Sequence, residues 1–229
     1  MKIMEIIEAR VEPDREFMSQ VEYIIDDSIE EYQEYLDDNN DVDDIDELEE
    51  ILNNNNFDNL PIEFIASNQE RQDPNEWISA EAGIDKSGKF MQVYLFSKNL
   101  AGKYGPKTFK QLVMRMLAHE TIHWNQYKKI GLDRVNKFKS GHQKGTELAN
   151  KTGNPKDWMR EYLRDPHELM AYASDLASEI KDLDNPEQVL RNPEAHKENL
   201  PSYARYITLF EPNSKELKQL LKYTADYYK

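Results

Sequence analysis

The chain has 229 residues, no cysteine and a net charge of −15. That length suits one large domain, or a core domain with a small attachment, and gives enough chain to bury most of its apolar surface. Without cysteine there are no disulfides, no thiolate catalysis and no cysteine-bearing zinc finger, so any metal must be held by His, Asp or Glu.

The charge is unevenly spread. Residues 1–60 hold 21 Asp and Glu against 3 Lys and Arg, a balance of −18, while the remainder, with 23 acids and 26 bases, stands at +3. Such a block is either a separate acidic module or a solvated helical face. It argues against nucleic acid as a partner, because a phosphate backbone has to be met by Lys and Arg. Met1 to Arg10 lacks the apolar core of a signal peptide, and no run of about 18 apolar residues occurs. The expectation is a soluble cytoplasmic protein with no membrane partner.

Lys2 to Val11 is rich in Ile and Glu with partial alternation and reads as a short strand. From Arg15 to Leu36 the residues Phe17, Val21, Ile24, Ile25, Ile29, Tyr32 and Leu36 recur at steps of three and four, which predicts an amphipathic helix with an acidic outer face. Val42, Ile45, Leu48, Ile51 and Leu52 repeat the pattern until the Asn53 to Asn56 run stops it. Strands are expected at Pro61 to Ser67, Trp77 to Ile84 and Lys89 to Phe96. The last two are separated by Asp85-Lys86-Ser87-Gly88, a hairpin signal, so a small antiparallel sheet is expected.

From about Lys107 to Ile130 the pattern is helical, with Gly105 and Pro106 suiting its start and Gly131 its end. Residues 131–157 carry four glycines and a proline with weak periodicity, and read as a long excursion that shapes a cleft. Asp165 followed by Pro166 is good start chemistry for a helix running to about Leu183. Two further helical segments follow, around Pro201 to Phe210 and Ser214 to Tyr228.

The chemistry sits in the long helix at residues 106–130, in "LAHETIHWNQY" (residues 117–127). His119 and His123 stand at i and i+4, on one helix face, and can share a metal ion. Glu120 flanks the first of them, where it can take a proton from a water that Zn²⁺ acidifies towards pKa ~7. Chance would supply this three-residue pattern in roughly one such chain in a hundred, so context has to decide. The plain alternative is two histidines hydrogen-bonded beside a surface glutamate.

A catalytic zinc needs a third protein ligand and an open fourth position. No histidine follows in "WNQYKKIGLDRVNKFKS", leaving His142, Glu147, Glu161, His167 and Glu168. Glu168 is favoured: it opens a well-capped helix whose Ala171, Ser174, Ala177 and Ser178 allow a close helix approach. Against this, Asp165-x-x-Glu168 is also a capping box, in which Glu168 would only reach back to the cap amide. Gln126 and Asp175 are candidates for orienting the ligands or touching substrate. Tyr172 could project its hydroxyl towards a developing oxyanion, although a core tyrosine is the plainer reading.

"HETIH" at His119 to His123 and "ELMAYASD" from Glu168 to Asp175 resemble the gluzincin branch of the zincin metallopeptidases, with "KFMQVYLF" resembling the sheet-edge strand before the active-site helix. The sequence is similar, too, to small metallopeptidases predicted in tailed phages, and more loosely to the ImmA/IrrE-like regulatory peptidases. The resemblance spans about residues 88–183. It implies an α+β, mostly helical zincin-like domain over residues 61–229, behind an acidic helical segment at 1–60. It further implies Zn²⁺ as cofactor, His119, His123 and Glu168 as ligands, Glu120 as the base, a protein or peptide substrate, and, for a phage protein, the host cytoplasm. One departure stands out: an acidic residue often follows the gluzincin glutamate by four positions, where this chain has Tyr172. The rival expectation is a non-catalytic acidic interaction protein with a structural or vestigial metal site.

Overall fold

The computed structural model describes residues 11–38, 45–56, 60–67, 78–85, 88–96, 106–130 and 140–229. The strand expected at Lys2 to Val11 lies, apart from Val11, outside them. The class is α+β, mostly helical with one three-stranded sheet. Among the described residues no helix is long and apolar enough to cross a membrane. Residues 13–124 form one compact unit, and residues 125–229 with the segment ending at Glu12 form another.

In the first unit the acidic helices α1 (Arg15–Asp38) and α2 (Ile45–Asn54) share a core with the sheet and the following helix. The spacing that predicted α1 is the spacing that buries Phe17, Val21, Ile24 and Ile25, while its carboxylates face outward. Glu22 and Asp26 turn back to the ammonium of Lys110, at 2.9 and 2.7 Å.

The strands are β1 (Ile62–Ser67), β2 (Ile78–Asp85) and β3 (Gly88–Phe96), in the order β1-β3-β2. β3 alternates as a half-buried strand should: Met91, Val93 and Leu95 are buried, while Gln92 and Tyr94 reach outward to Glu63 and Glu81. β2 and β3 are the expected antiparallel hairpin. The sheet as a whole is mixed rather than antiparallel, because β1 pairs with β3 in parallel. The alternation pattern marks a strand but not its partner's direction, and only the short Asp85 to Gly88 connection fixed a direction here. β3 is accordingly the central strand and not the edge strand that the resemblance implied.

The Asn53 to Asn56 run does more than stop α2. Asn53 takes the Phe64 N–H and gives to the Phe64 carbonyl, both at 2.9 Å. Asn56 accepts from the Leu60 N–H at 2.8 Å, and Glu49 from the Ala66 N–H at 2.7 Å. These side chains satisfy the backbone of an edge strand as a fourth strand would, which protects that edge from unwanted pairing.

Helix α3 (Pro106–Ile130) runs through the division between the units. In the second unit, α4 (Gly141–Thr152) and α5 (Pro155–Arg164) occupy most of the stretch expected to be an irregular excursion. Their signals are local. Ser140 and Gln143 form a capping box, Gly153 ends α4 at φ 70°, and Asn154 caps α5 ahead of Pro155. The glycines that weakened the periodicity are packing surfaces: a Cβ at Gly145 would lie 2.6 Å from the Trp158 carbonyl oxygen, and one at Gly141 would lie 2.9 Å from that of Glu161.

Helix α6 (Pro166–Lys181) is the centre of this unit. It packs Leu169, Ala173, Leu176 and Ile180 against residues of α8 (Pro201–Ile207) and α9 (Lys215–Tyr228). Between α6 and α8 run α7 (Pro186–Arg191) and a 3₁₀ segment (Pro193–Asn199). The N-terminal segment is tied in where Tyr227 donates its hydroxyl to the Val11 carbonyl at 2.6 Å and Asn125 donates to that of Glu12 at 2.9 Å.

Candidate metal centre

The rotation of α3 about its own axis is set by the side of the helix away from the histidines. Val113, Leu117 and Trp124 are fully buried in the first unit's core. The Trp124 indole donates to the Phe90 carbonyl at 3.2 Å and meets the Phe17 ring edge-on at 4.9 Å. Thr121 accepts the Asp14 N–H at 3.2 Å. With that side fixed, 3.6-residue periodicity puts His119, His123, Gln126 and Tyr127 together on another face. The two imidazoles are 9% and 7% exposed, with centroids 5.1 Å apart and planes at 71°.

Helix α6 is started by Asp165, whose carboxylate accepts the His167 N–H at 3.0 Å and, through its other oxygen, the Gly141 N–H at 2.7 Å. The capped amide is therefore that of His167, the second helical residue, and not that of Glu168 as in a capping box. Burial on its own would push the Asp165 carboxyl up; the His167 ring, the His167 amide and the Gly141 amide together hold it below the ordinary carboxylate value. Gln126, only 2% exposed, donates to the His167 carbonyl at 3.1 Å. That bond joins the histidine helix to the first turn of α6, one residue before Glu168.

His119, His123 and Glu168 each present one ligand atom, and these atoms all lie within 4.8 Å of one another. Two imidazole nitrogens and one carboxylate oxygen are a donor set that zinc accepts. Tetrahedral ligands about 2.1 Å from a metal stand roughly 3.4 Å apart, so side-chain torsions have at most about 1.4 Å to close. The residues fit a zinc ion.

The other sequence candidates are placed as follows. Glu120 follows His119 on α3 and is partly buried. Gln126 donates its side-chain amide to the His167 backbone carbonyl. Tyr172 is 8% exposed, its hydroxyl accepts from Arg205, and its ring meets Tyr206 edge-on. Asp175 is buried one turn further along α6. The Tyr206 hydroxyl is pushed well up, first by burial and then by the neighbouring Tyr172, Glu168 and Asp175, which sets those three on one side of α6. Of the alternative ligands, His142 lies edge-on to Trp158, Glu161 is paired with Arg164 at 2.8 Å, and His167 has Nδ1 3.2 Å from Asp165. Arg205 had no local signal in the sequence, being 33 residues from the tyrosine it holds.

Comparison of the chain with known protein families, with curated proteins and with solved structures found no match.

Proposed function

We propose that the protein is a zinc-dependent peptidase in which His119, His123 and Glu168 hold the ion and Glu120 is the general base. The observation that carries this reading is the convergence of the three ligand atoms within 4.8 Å, across 45 residues of sequence, in a chain where the pair of histidines brackets a glutamate. Bound zinc would polarise the substrate carbonyl and acidify water at its open position. Glu120 takes the proton from the attacking water as its oxygen bonds to the carbonyl carbon. It returns that proton to the amine nitrogen as the C–N bond breaks. Glu168 sits in the first turn of α6, where the helix dipole favours its ionised, ligating form.

Metal analysis after zinc loading should find one equivalent per chain. A protein that takes up no zinc would overturn the proposal. Glu168→Ala should weaken zinc by more than the roughly 10–100-fold typical of losing an outer hydrogen-bond partner; unchanged affinity would move the third position elsewhere. Glu120→Gln should keep the metal and lose cleavage of a mixed-sequence peptide library read by mass spectrometry. Undiminished cleavage would remove Glu120 from the reaction.

A further inference from the structure

We propose that the groove between α5 and α8 is a docking site for an acidic segment of a partner protein, one in which carboxylates flank an apolar side chain. The groove has a volume of about 470 Å³ and opens to solvent. Met159, Leu209 and Pro155 supply its apolar lining and Lys156 and Arg205 its charges, and no carboxylate residue lines it. In a chain of net charge −15, a depression with two cations and no acid runs against the rest of the molecule. The proposal does not rest on the peptidase reading.

The acids nearest to Lys156 and Met159 in sequence are already paired, Asp157 with Arg160 at 3.4 Å and Glu161 with Arg164 at 2.8 Å. Lys156 is exposed, and its ammonium has no hydrogen bond or ion pair among the described residues. Arg205 is exposed as well. It donates to the Tyr172 hydroxyl, a neutral acceptor, and its guanidinium stands 5.4 Å from the centre of that ring, which fixes its direction. The two walls are tied to each other: Arg160 donates to the Leu209 carbonyl at 3.2 Å, and the Tyr206 hydroxyl to the Leu163 carbonyl at 3.0 Å. The groove is thus formed before anything enters it, which lowers the ordering cost of binding.

The shape and the charges together select the occupant. An open groove covers one side of what lies in it, which suits a segment carried by a larger partner better than a small molecule that has to be enclosed. A protein segment offers an apolar side chain for Met159, whose flexible thioether adapts to its contact, with carboxylates on either side for Lys156 and Arg205. A nucleic acid would bring phosphates to an apolar floor and to a chain whose overall charge repels them.

The test measures binding of short labelled peptides to the full-length chain by fluorescence anisotropy, in the Glu120→Gln background so that the peptides stay intact. One pool alternates Asp and Glu with Leu and Phe; a second replaces the acids by Asn and Gln; a third replaces the apolar residues by Ser. The first pool should bind, and the other two at least about tenfold more weakly. Lys156→Glu and Thr208→Glu, at exposed positions lining the groove, each set a carboxylate in it. Each should raise the Kd of the first pool about tenfold, since reversal adds repulsion to a lost attraction. The Met159 methyl resonance should shift on binding, and affinity should be equal with and without added zinc. No binding of the first pool, equal binding of the second, unchanged affinity in both Glu variants or an unmoved Met159 would each overturn the proposal. Binding seen only with zinc would assign the peptides to the metal centre and do the same. So would sedimentation showing copies of the chain associating through a contact that Lys156→Glu abolishes, since the occupant would then be a second copy. A protein that takes up no zinc or cleaves nothing would leave these outcomes untouched.

Discussion

Asp165→Asn is the substitution whose cost the structure defines most closely, because the two oxygens of Asp165 do different work. Oδ1 accepts the His167 N–H at 3.0 Å and lies 3.2 Å from the His167 ring, while Oδ2 accepts the Gly141 N–H at 2.7 Å. One carboxylate thus caps α6 and α4 together. Asparagine has a single acceptor, so whichever way it turns, an NH₂ group faces one of the two amides. An N-cap is worth about 0.5–2 kcal/mol, and an amide left facing a donor costs about 1–3 kcal/mol. Asp165→Asn should therefore destabilise the protein by about 2 kcal/mol at neutral pH, and Asp165→Ala, which removes both acceptors, by about 3–4 kcal/mol. The pH dependence has a definite sign. The folded carboxyl lies below its reference value of 3.8, so its contribution is present above that pH and fades as the pH falls through the folded value. Denaturant unfolding at several pH values should find the gap between wild type and Asp165→Asn constant from neutral pH down to about 5 and narrowing below about 4. A variant within about 0.5 kcal/mol of wild type, or a gap that ignores acid, would show that the double cap is not what fixes the start of α6.

Two further outcomes are expected elsewhere in the fold. Gly145→Ala gains about 1 kcal/mol of helix propensity but sets a methyl 2.6 Å from the Trp158 carbonyl oxygen and 3.0 Å from its Cα. Overpacking of about 1–3 kcal/mol against backbone that cannot rotate away should win, for a net loss of about 1–2 kcal/mol in thermal or denaturant unfolding; a stabilised variant would mean that α4 and α5 are not in contact there. Asn53→Ala removes both partners of Phe64 at the edge of β1. It should cost about 1–3 kcal/mol and increase concentration-dependent association, as followed by light scattering, because an uncovered strand edge is a template for pairing; a variant as stable and as dispersed as wild type would count against the edge-closing role.

What the sequence made legible follows from the range of the forces involved. The helix of residues 106–130 and the hairpin of β2 and β3 rest on periodicity and on a four-residue turn, both contained in a short window. So does the start of α6, where Asp165 and Pro166 act within one turn. The parallel pairing of β1 was out of reach, because its partner lies 29 residues away and nothing local encodes direction. In residues 140–157 the signals were present and were outweighed: Ser140, Gln143, Gly153 and Asn154 are standard caps, but Gly141 and Gly145 counted as breakers when they are contact points for a neighbouring helix. Asn53 and Asn56 were legible as a stop and not as partners of β1, since that role depends on the strand beside them. At the candidate site, the histidine pair was a spacing argument. Glu168 was an argument about which helix could come close, and Arg205 had no argument at all.

The two halves of the proposed ligand set differ in what fixes them. The histidines inherit their direction from a helix whose opposite side is locked by Trp124, Thr121 and Leu117, so displacing that side would rotate both imidazoles together. Glu168 depends instead on where α6 begins, and that point is held by Asp165 at the cap and by Gln126 on the His167 carbonyl. Gln126 is on the same helix as the histidines. One bond at the start of α6 therefore comes from the helix that also carries the two histidines. A substitution at Gln126 should accordingly disturb the ligand set more than its single hydrogen bond suggests. Gln126→Leu, similar in size but unable to donate, should weaken zinc by about 10–100-fold, the range for outer partners of ligands, with the histidine helix still folded by circular dichroism. Wild-type zinc affinity in that variant would show that α6 is placed by its own cap and core alone.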